Sequence, residues 1–239
     1  MTGSYASPPC FMHELGPEYL GLAPEPDAQQ SVDVARWRKA ERERLIAARL
    51  ALAVAVRRRH DRVIAAGLDR FLGDVAGRVV AVYWPFRGEP DLRFWMKEVL
   101  ARGGVCALPV VAARARPLVF RRWRPGVKMA RGVWNIPVPA ADDPVTPDIV
   151  IAPVVGFDRA CYRLGYGGGF YDRTLAALPC RPRAVGVGYS LAAIPSIYPQ
   201  PTDIAMDAVI TECARATVIA DPHQDRDPSG DPPGDSSAV

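Results

Sequence analysis

Apolar positions along this 239-residue chain switch between helical and extended periods. Residues 34–59 form an Ala/Arg/Leu stretch that predicts a long helix, and 61–71 predict a second. The run 79–83 reads as a buried strand, 91–102 as a helix with Asp91 near its N-cap, and 105–111 and 118–123 as further strands. A proline-rich segment, 137–147, joins this half to the next. There a strand over 148–157 is followed by a helix over 174–178, a strand over 184–189 and a short strand over 208–211. Strands alternating with helices predict an α/β fold, a layered and mainly parallel sheet flanked by helices. A single compact domain is expected over 34–220, without internal repeats. Residues 1–33 hold Pro8, Pro9, Pro17, Pro24 and Pro26 and no apolar period, so an irregular extension is expected there. A disordered acidic tail is expected over 221–239.

Between the 148–157 strand and the next helix the chain reads Arg163-Leu164-Gly165-Tyr166-Gly167-Gly168-Gly169-Phe170-Tyr171-Asp172-Arg173. Strand, glycine loop and helix together offer bare backbone N–H groups and a helix N-terminus to a phosphate. Two familiar phosphate loops fail on spelling. A Walker A loop needs Gly-Lys-Ser/Thr where Gly169 is followed by Phe170, and a dinucleotide fingerprint from Gly165 needs Gly or Ala at Phe170. A glycine-rich turn without a ligand is the bland alternative. Against it stand Arg163 and Arg173, which bracket the loop with positive charge, and Asp172, a hard oxygen ligand suited to Mg²⁺.

The formal charge of +4 conceals a division, because 29 basic residues face 16 acidic ones between positions 34 and 220. A core with a surplus of 13 positive charges attracts polyanions. Nucleic acid is one candidate, supported by Arg57, Arg58 and Arg59; a nucleotide with an acidic co-substrate is the other, favoured because arginines also flank the glycine loop. The five cysteines are odd in number and widely spaced, without a CxxC, which points to reduced thiols in a cytoplasm. His13, His60 and His223 lie outside every motif, which speaks against histidine-based metal or triad chemistry. The most apolar stretch, 45–56, is interrupted by Arg49 and is too short for a membrane span, so no membrane partner is expected.

At the glycine segment the chain resembles the 5-formyltetrahydrofolate cyclo-ligase family, also called methenyltetrahydrofolate synthetases. The family signature Arg-Leu-Gly-x-Gly-x-Gly-Tyr/Phe-Tyr-Asp is matched at every fixed position from Arg163 to Asp172. The resemblance runs from about residue 34 to about 212 and takes in Arg38 to Arg42, Tyr83 to Asp91, Trp134 to Pro137 and Asp203 to Asp207. It implies ATP- and Mg²⁺-dependent conversion of 5-formyltetrahydrofolate to 5,10-methenyltetrahydrofolate by phosphorylation of the formyl oxygen and ring closure. Such chemistry asks a protein for positioning and charge neutralisation rather than for a nucleophile.

Residue roles follow from the resemblance position by position. Arg38, Lys39 and Arg42 on the first helix, with Arg163, Leu164, Gly165, Tyr166, Gly167, Gly168, Gly169, Phe170 and Tyr171, are implied to bind ATP. Arg163, Arg173 and Lys128 are implied to supply catalytic charge. Lys128 or Arg131 would compensate at Gly168, where some members carry Lys. Trp84, Glu89, Trp134 and Tyr171 are implied to contact the folate, polyglutamylated or not. Asp172 is implied to hold Mg²⁺, with Asp203 as a second carboxylate, whereas Asp207 reads as a strand-start cap. Thr202 and Ala205 depart from the His and Pro that bacterial relatives often show, and Ala160-Cys161-Tyr162 replaces a common glycine-containing turn. A solvated arginine face and a plain core Trp84 are the structural alternatives. A monomeric cytoplasmic enzyme is expected. The rival readings are a paralogue acting on another formylated substrate and a non-catalytic nucleotide- or nucleic-acid-binding member.

Overall fold

The computed structural model describes residues 28–213 and the strand residues 217–218. The chain divides into two compact units, 1–38 and 39–239. Helix α1 (Ala28–Ala51) begins in the first unit, and every strand belongs to the second. Helices α2 (Val54–Leu72), α3 (Arg93–Ala101) and α4 (Phe170–Ala177) accompany a sheet of β1 (Val79–Ala81), β2 (Val105–Val110), β3 (Val119–Trp123), β6 (Ile149–Pro153), β9 (Arg183–Val187), β10 (Ala208–Ile210) and β11 (Thr217–Val218). Their order is β11-β10-β9-β6-β1-β2-β3. The five inner strands are parallel, and the edge strands β3 and β11 run antiparallel to their neighbours. Two small antiparallel ribbons complete the fold, β4 (Met129–Arg131) with β5 (Pro137–Pro139) and β7 (Gly156–Phe157) with β8 (Arg163–Leu164).

A parallel sheet is covered on both faces, so its strands read as continuous apolar runs rather than alternating ones. Val80, Ile149 and Ile151 face one core with Ile64, Leu68, Trp95 and Met96 from α2 and α3. Ala81, Val150 and Ala152 face the other with Leu175 of α4 and Phe120. Each fully buried Ile or Leu contributes about 1.5–3 kcal/mol over its exposed state.

The mainly parallel sheet agrees with the sequence reading, and several boundaries are corrected. The first two helices break at Leu52 and Ala53 rather than near position 60, so 54–60 belong to α2. Residues 28–33, expected to be irregular, are helical; 1–27 and the tail 221–239 lie outside the described residues. The 148–157 strand is two strands, because Val154 N–H still bonds Val187 of the main sheet whereas Val155 N–H turns to Leu164 of β8. The helix expected from 174 starts at Phe170, directly on the left-handed Gly169. Within 137–147, Pro137–Pro139 pair with the hairpin strand before them. Asp91 precedes the N-cap Leu92 of α3, and its carboxylate accepts the Arg93 N–H at 3.1 Å.

From β1 the chain moves outward to β2, whereas β6 pairs with the opposite side of β1 and continues to β9. Such a reversal leaves a crevice beyond the carboxyl ends of the two central strands, where α/β sheets bind ligands. The segment after β1 carries Trp84 to Glu89, and that after β6 leads to the glycine loop.

Close packing at these strand ends requires Gly188, where an added Cβ would lie 2.5 Å from Val154 Cγ2. Gly188→Ala is expected to lower stability by about 1–3 kcal/mol. Adding Val154→Ala, which removes the clashing methyl but keeps the carbonyl, should return part of that loss. Urea unfolding of the single and double variants, read as a mutant cycle, checks both outcomes.

Candidate active site

The glycine loop is held from both sides. Upstream, β8 pairs with β7, Gly156 opposite Leu164 and Phe157 opposite Arg163. Downstream, α4 begins at Gly169, whose φ of 60° no side chain cap accompanies, so the first-turn N–H groups remain open to an anion. Gly167 has φ 90°, a conformation that favours glycine, and the guanidinium of Arg42 stands beside it. Arg42 also fixes the loop directly, its Nε–H donating to the Gly165 carbonyl at 2.6 Å.

Arg163 is buried under the loop. Its Nη2 lies 3.0 Å from Asp172 Oδ1, an ion pair without hydrogen-bond alignment, so Nε and Nη2 are buried with no acceptor among the described residues. Its guanidinium carbon sits 5.3 Å from the Tyr171 ring centroid. Arg173 turns back along α4, donating to the Gly168 carbonyl and resting over the Phe170 ring at 5.4 Å. Two guanidiniums, open helix N–H groups and a glycine backbone therefore converge on one segment.

Two carboxylates lie at or near this segment. Asp172 Oδ1 faces Arg163 and accepts the Ile204 N–H at 3.2 Å, so both of these contacts fall on one oxygen of the carboxylate. Asp203, next to Ile204, accepts the Gln200 N–H at 2.7 Å through Oδ2. Among the described residues no three His, Cys, Asp or Glu side chains gather around one point. One carboxylate, or two, fits an ion that takes most of its ligands from phosphates and water.

Facing the loop from the segment after β1 is Glu89, 6% exposed. The Tyr166 hydroxyl donates to its Oε1 at 3.0 Å, and the Phe86 N–H donates to its Oε2 at 2.9 Å. Arg49 of α1, 4% exposed, donates from Nη2 to the Tyr166 oxygen at 2.6 Å, from Nε to Arg87 O at 3.0 Å and from Nη1 to Val154 O at 3.4 Å. Burial pushes the Glu89 carboxyl up to about 7, against the opposing pull of Arg49, the Phe86 N–H and the Tyr166 hydroxyl. Burial likewise raises the Tyr166 hydroxyl above its ordinary range, so it stays protonated.

Three aromatic rings lie beside that carboxylate. Phe86 and Trp134 are near-parallel, with centroids 6.2 Å apart and a 10° interplanar angle, and Tyr166 is tilted against each at 5.8 and 5.9 Å. Trp134 is 54% exposed and adopts φ 55° in the turn between β4 and β5, a rare conformation for so large a residue. An exposed ring above a buried acceptor suits a flat heterocycle with N–H donors on its edge.

The predicted residues thus fall into distinct places. The loop residues, Arg42, Glu89 and Trp134 come together. Leu164 is buried as a β8 core residue, and Tyr171 packs on the core beneath α4. Trp84 is half-buried against the main core under Arg93, 5.1 Å away. Lys128 is exposed ahead of β4, with no side-chain contact to the loop, and Lys39 is exposed on α1. Arg38 belongs to the first unit. Sequence reasoning missed Arg49 and Phe86. The signal for Arg49 was its spacing, since 42, 45 and 49 share a helical face with the buried Leu45.

Comparison with known proteins adds to this geometry. A family described as the 5-formyltetrahydrofolate cyclo-ligase family matches residues 34–212. A 5-formyltetrahydrofolate cyclo-ligase of Mycolicibacterium smegmatis is 32% identical over 57% of this chain and 75% of its own length. One from Escherichia coli is 32% identical over 57% of this chain and 79% of its own. The NMR structure of Aquifex aeolicus 5,10-methenyltetrahydrofolate synthetase superposes with a TM-score of 0.66 at 28% identity, covering 77% of this chain and 93% of that one. With the glycine loop, the crevice and the family match on the same residues, the chain belongs to the 5-formyltetrahydrofolate cyclo-ligase family.

Proposed function

We propose that the protein converts 5-formyltetrahydrofolate to 5,10-methenyltetrahydrofolate at the expense of ATP, which becomes ADP and phosphate. The observation that carries this reading is the juxtaposition at the switch-point crevice of a glycine loop opening a helix with a buried carboxylate bonded to a cluster of three aromatic residues, of which Trp134 is exposed. The glycine-loop N–H groups, with Arg42, Arg163 and Arg173, bind the phosphates and oppose their charge. Glu89 accepts from the donor edge of the pterin ring, and Trp134 with Phe86 flanks its face. Asp172, with Asp203 beside it, is the carboxylate available to Mg²⁺, which when bound draws charge away from the transferring phosphoryl group.

The formamide oxygen is a poor leaving group. Its attack on the γ-phosphorus releases ADP and makes it a phosphate ester of an imidate. The nitrogen at position 10 then attacks the activated carbon, loses its proton, and phosphate departs as the ring closes. The protein holds two substrates in line in a crevice and supplies positive charge, and no covalent enzyme intermediate is required. Among the described residues no helix is long and apolar enough to cross a membrane.

Purified protein mixed with 5-formyltetrahydrofolate, ATP and Mg²⁺ should develop methenyltetrahydrofolate absorbance; no absorbance would favour a paralogue with another formylated substrate. Asp172→Asn should lower turnover and weaken Mg²⁺ dependence more than it lowers the unfolding midpoint, because a neutral amide is a poorer ligand for a hard cation. An unchanged Mg²⁺ titration would move the metal role away from Asp172.

Arg42→Ala should weaken ATP, by about 1.5–3 kcal/mol for each charge-assisted hydrogen bond lost, while leaving folate affinity nearly intact. Calorimetric titration with each substrate tests this. If the basic surface serves nucleic acid instead, the variant will lower nucleic-acid affinity and its salt slope and spare the ATP titration.

A further inference from the structure

Arg49 lies outside the glycine signature and touches neither its backbone nor the phosphate side of the loop. It is nevertheless a buried charge, and each of its three nitrogens donates a hydrogen bond inside the second unit. Nε and Nη1 are anchored on two main-chain carbonyls, Arg87 O and Val154 O, so the position of Nη2 is set by the ends of β1 and β6. Nη2 donates to the Tyr166 oxygen. Guanidinium has no acceptor, and a phenol has a single proton. That proton must therefore leave Tyr166 in the one remaining direction, toward Glu89 Oε1.

We propose that Arg49 is a positioning residue for the folate ring: through Tyr166 it holds Glu89 as an oriented, anionic acceptor at the base of the aromatic pocket. The proposal rests on the assignment of Glu89 to the folate. With Oε1 held by Tyr166 and Oε2 by the Phe86 N–H, each oxygen keeps a lone pair for the pterin edge. A protonated or rotated carboxyl would present a donor where an acceptor is needed. The chain from Arg49 opposes both, because it supplies a hydrogen bond of fixed direction and a positive charge in a site that disfavours the carboxylate.

The ionisable groups around Glu89 can be named. Arg49 approaches from α1, Tyr166 from the glycine loop, Tyr83 from the segment after β1 and Tyr171 from α4, with Arg163 beyond Tyr171. Burial and the Glu89 charge both raise Tyr83 and Tyr171, so those hydroxyls remain neutral through the working range. Arg49 is the positive charge acting on Glu89. Its removal raises the pH at which the carboxylate forms.

The test is the pH dependence of kcat/KM for 5-formyltetrahydrofolate at saturating ATP, from about pH 6 to about pH 9, in the wild type, Arg49→Met, Tyr166→Phe and Glu89→Gln. In the wild type, kcat/KM should fall as the pH drops through about 7. In Arg49→Met that acidic limb should move up by roughly one pH unit or more. Its KM defect should then be large at neutral pH and shrink in alkali, with kcat less affected. Tyr166→Phe keeps the ring contacts but deletes one donor to Glu89, and its limb should move in the same direction by less. It decides the matter if Arg49→Met does not fold. A limb at the wild-type position in both variants, or a defect equal at every pH, overturns the proposal. Glu89→Gln separates the two layers. Normal folate kinetics in that variant remove Glu89 from the folate site, whereas lost folate affinity with an unmoved Arg49→Met limb rejects the role of Arg49 alone.

Discussion

The guanidinium of Arg49 sits where the loop after β1, the end of β6 and the glycine loop meet, with hydrogen bonds to Arg87, Val154 and Tyr166. A buried charge costs several kcal/mol when unpaired, and the cost is offset when hydrogen bonds replace its hydration and an opposite charge stands nearby. Arg49 meets both conditions. Two carbonyls and a hydroxyl take one N–H from each of its nitrogens, and Glu89 lies one hydroxyl away. The three segments are thereby held in one arrangement. They leave the sheet at its switch point, where the β7–β8 pairing ties the glycine loop to the end of β6 and Arg49 adds the loop after β1.

That constraint explains how two dissimilar binding surfaces share a short segment. The glycine residues of the loop carry bare backbone and abut a helix whose first-turn N–H groups have no side-chain cap, so their chemistry suits anions. Tyr166, between Gly165 and Gly167, points the other way and joins Glu89, Phe86 and Trp134. Glycine on each side of Tyr166 lets the backbone turn without competing side chains. On the proposed reading, one short segment would serve both a phosphoryl donor and a flat heterocycle.

Asp172 shows a related economy. Its first-turn position in α4 complements the helix dipole, and one oxygen both faces Arg163 and receives the Ile204 N–H. Arg163 in turn keeps unused N–H groups in a buried place beside the loop, an arrangement that suits an incoming anion better than a closed salt bridge would.

Much was legible in the order of residues. Apolar runs too short for helices and flanked by helical segments determine a covered parallel sheet, because both faces of strands such as 149–153 must be buried. The glycine loop read as a candidate anion site because Arg163, Arg173 and Asp172 flank it ahead of a helix, with a ligand-free turn as the alternative. Boundaries were less so. The break at Leu52 and Ala53 carries no proline or glycine, and the division of 148–157 into two strands depends on Val155 finding Leu164 as its partner, a choice made between distant segments. Arg49 looked like an interruption of an apolar helix, Phe86 like a neighbour of Glu89 without a role, and Trp84 like the natural stacking partner. Packing decided otherwise, placing Trp84 against the core and leaving Trp134 exposed over Tyr166. Local sequence determines periodicity, turn chemistry and the supply of charged groups. Which buried charge meets which hydroxyl is decided by contacts between residues far apart in the chain, such as Arg49 and Tyr166 at a separation of 117 positions, and these exist only once the sheet has brought their segments together.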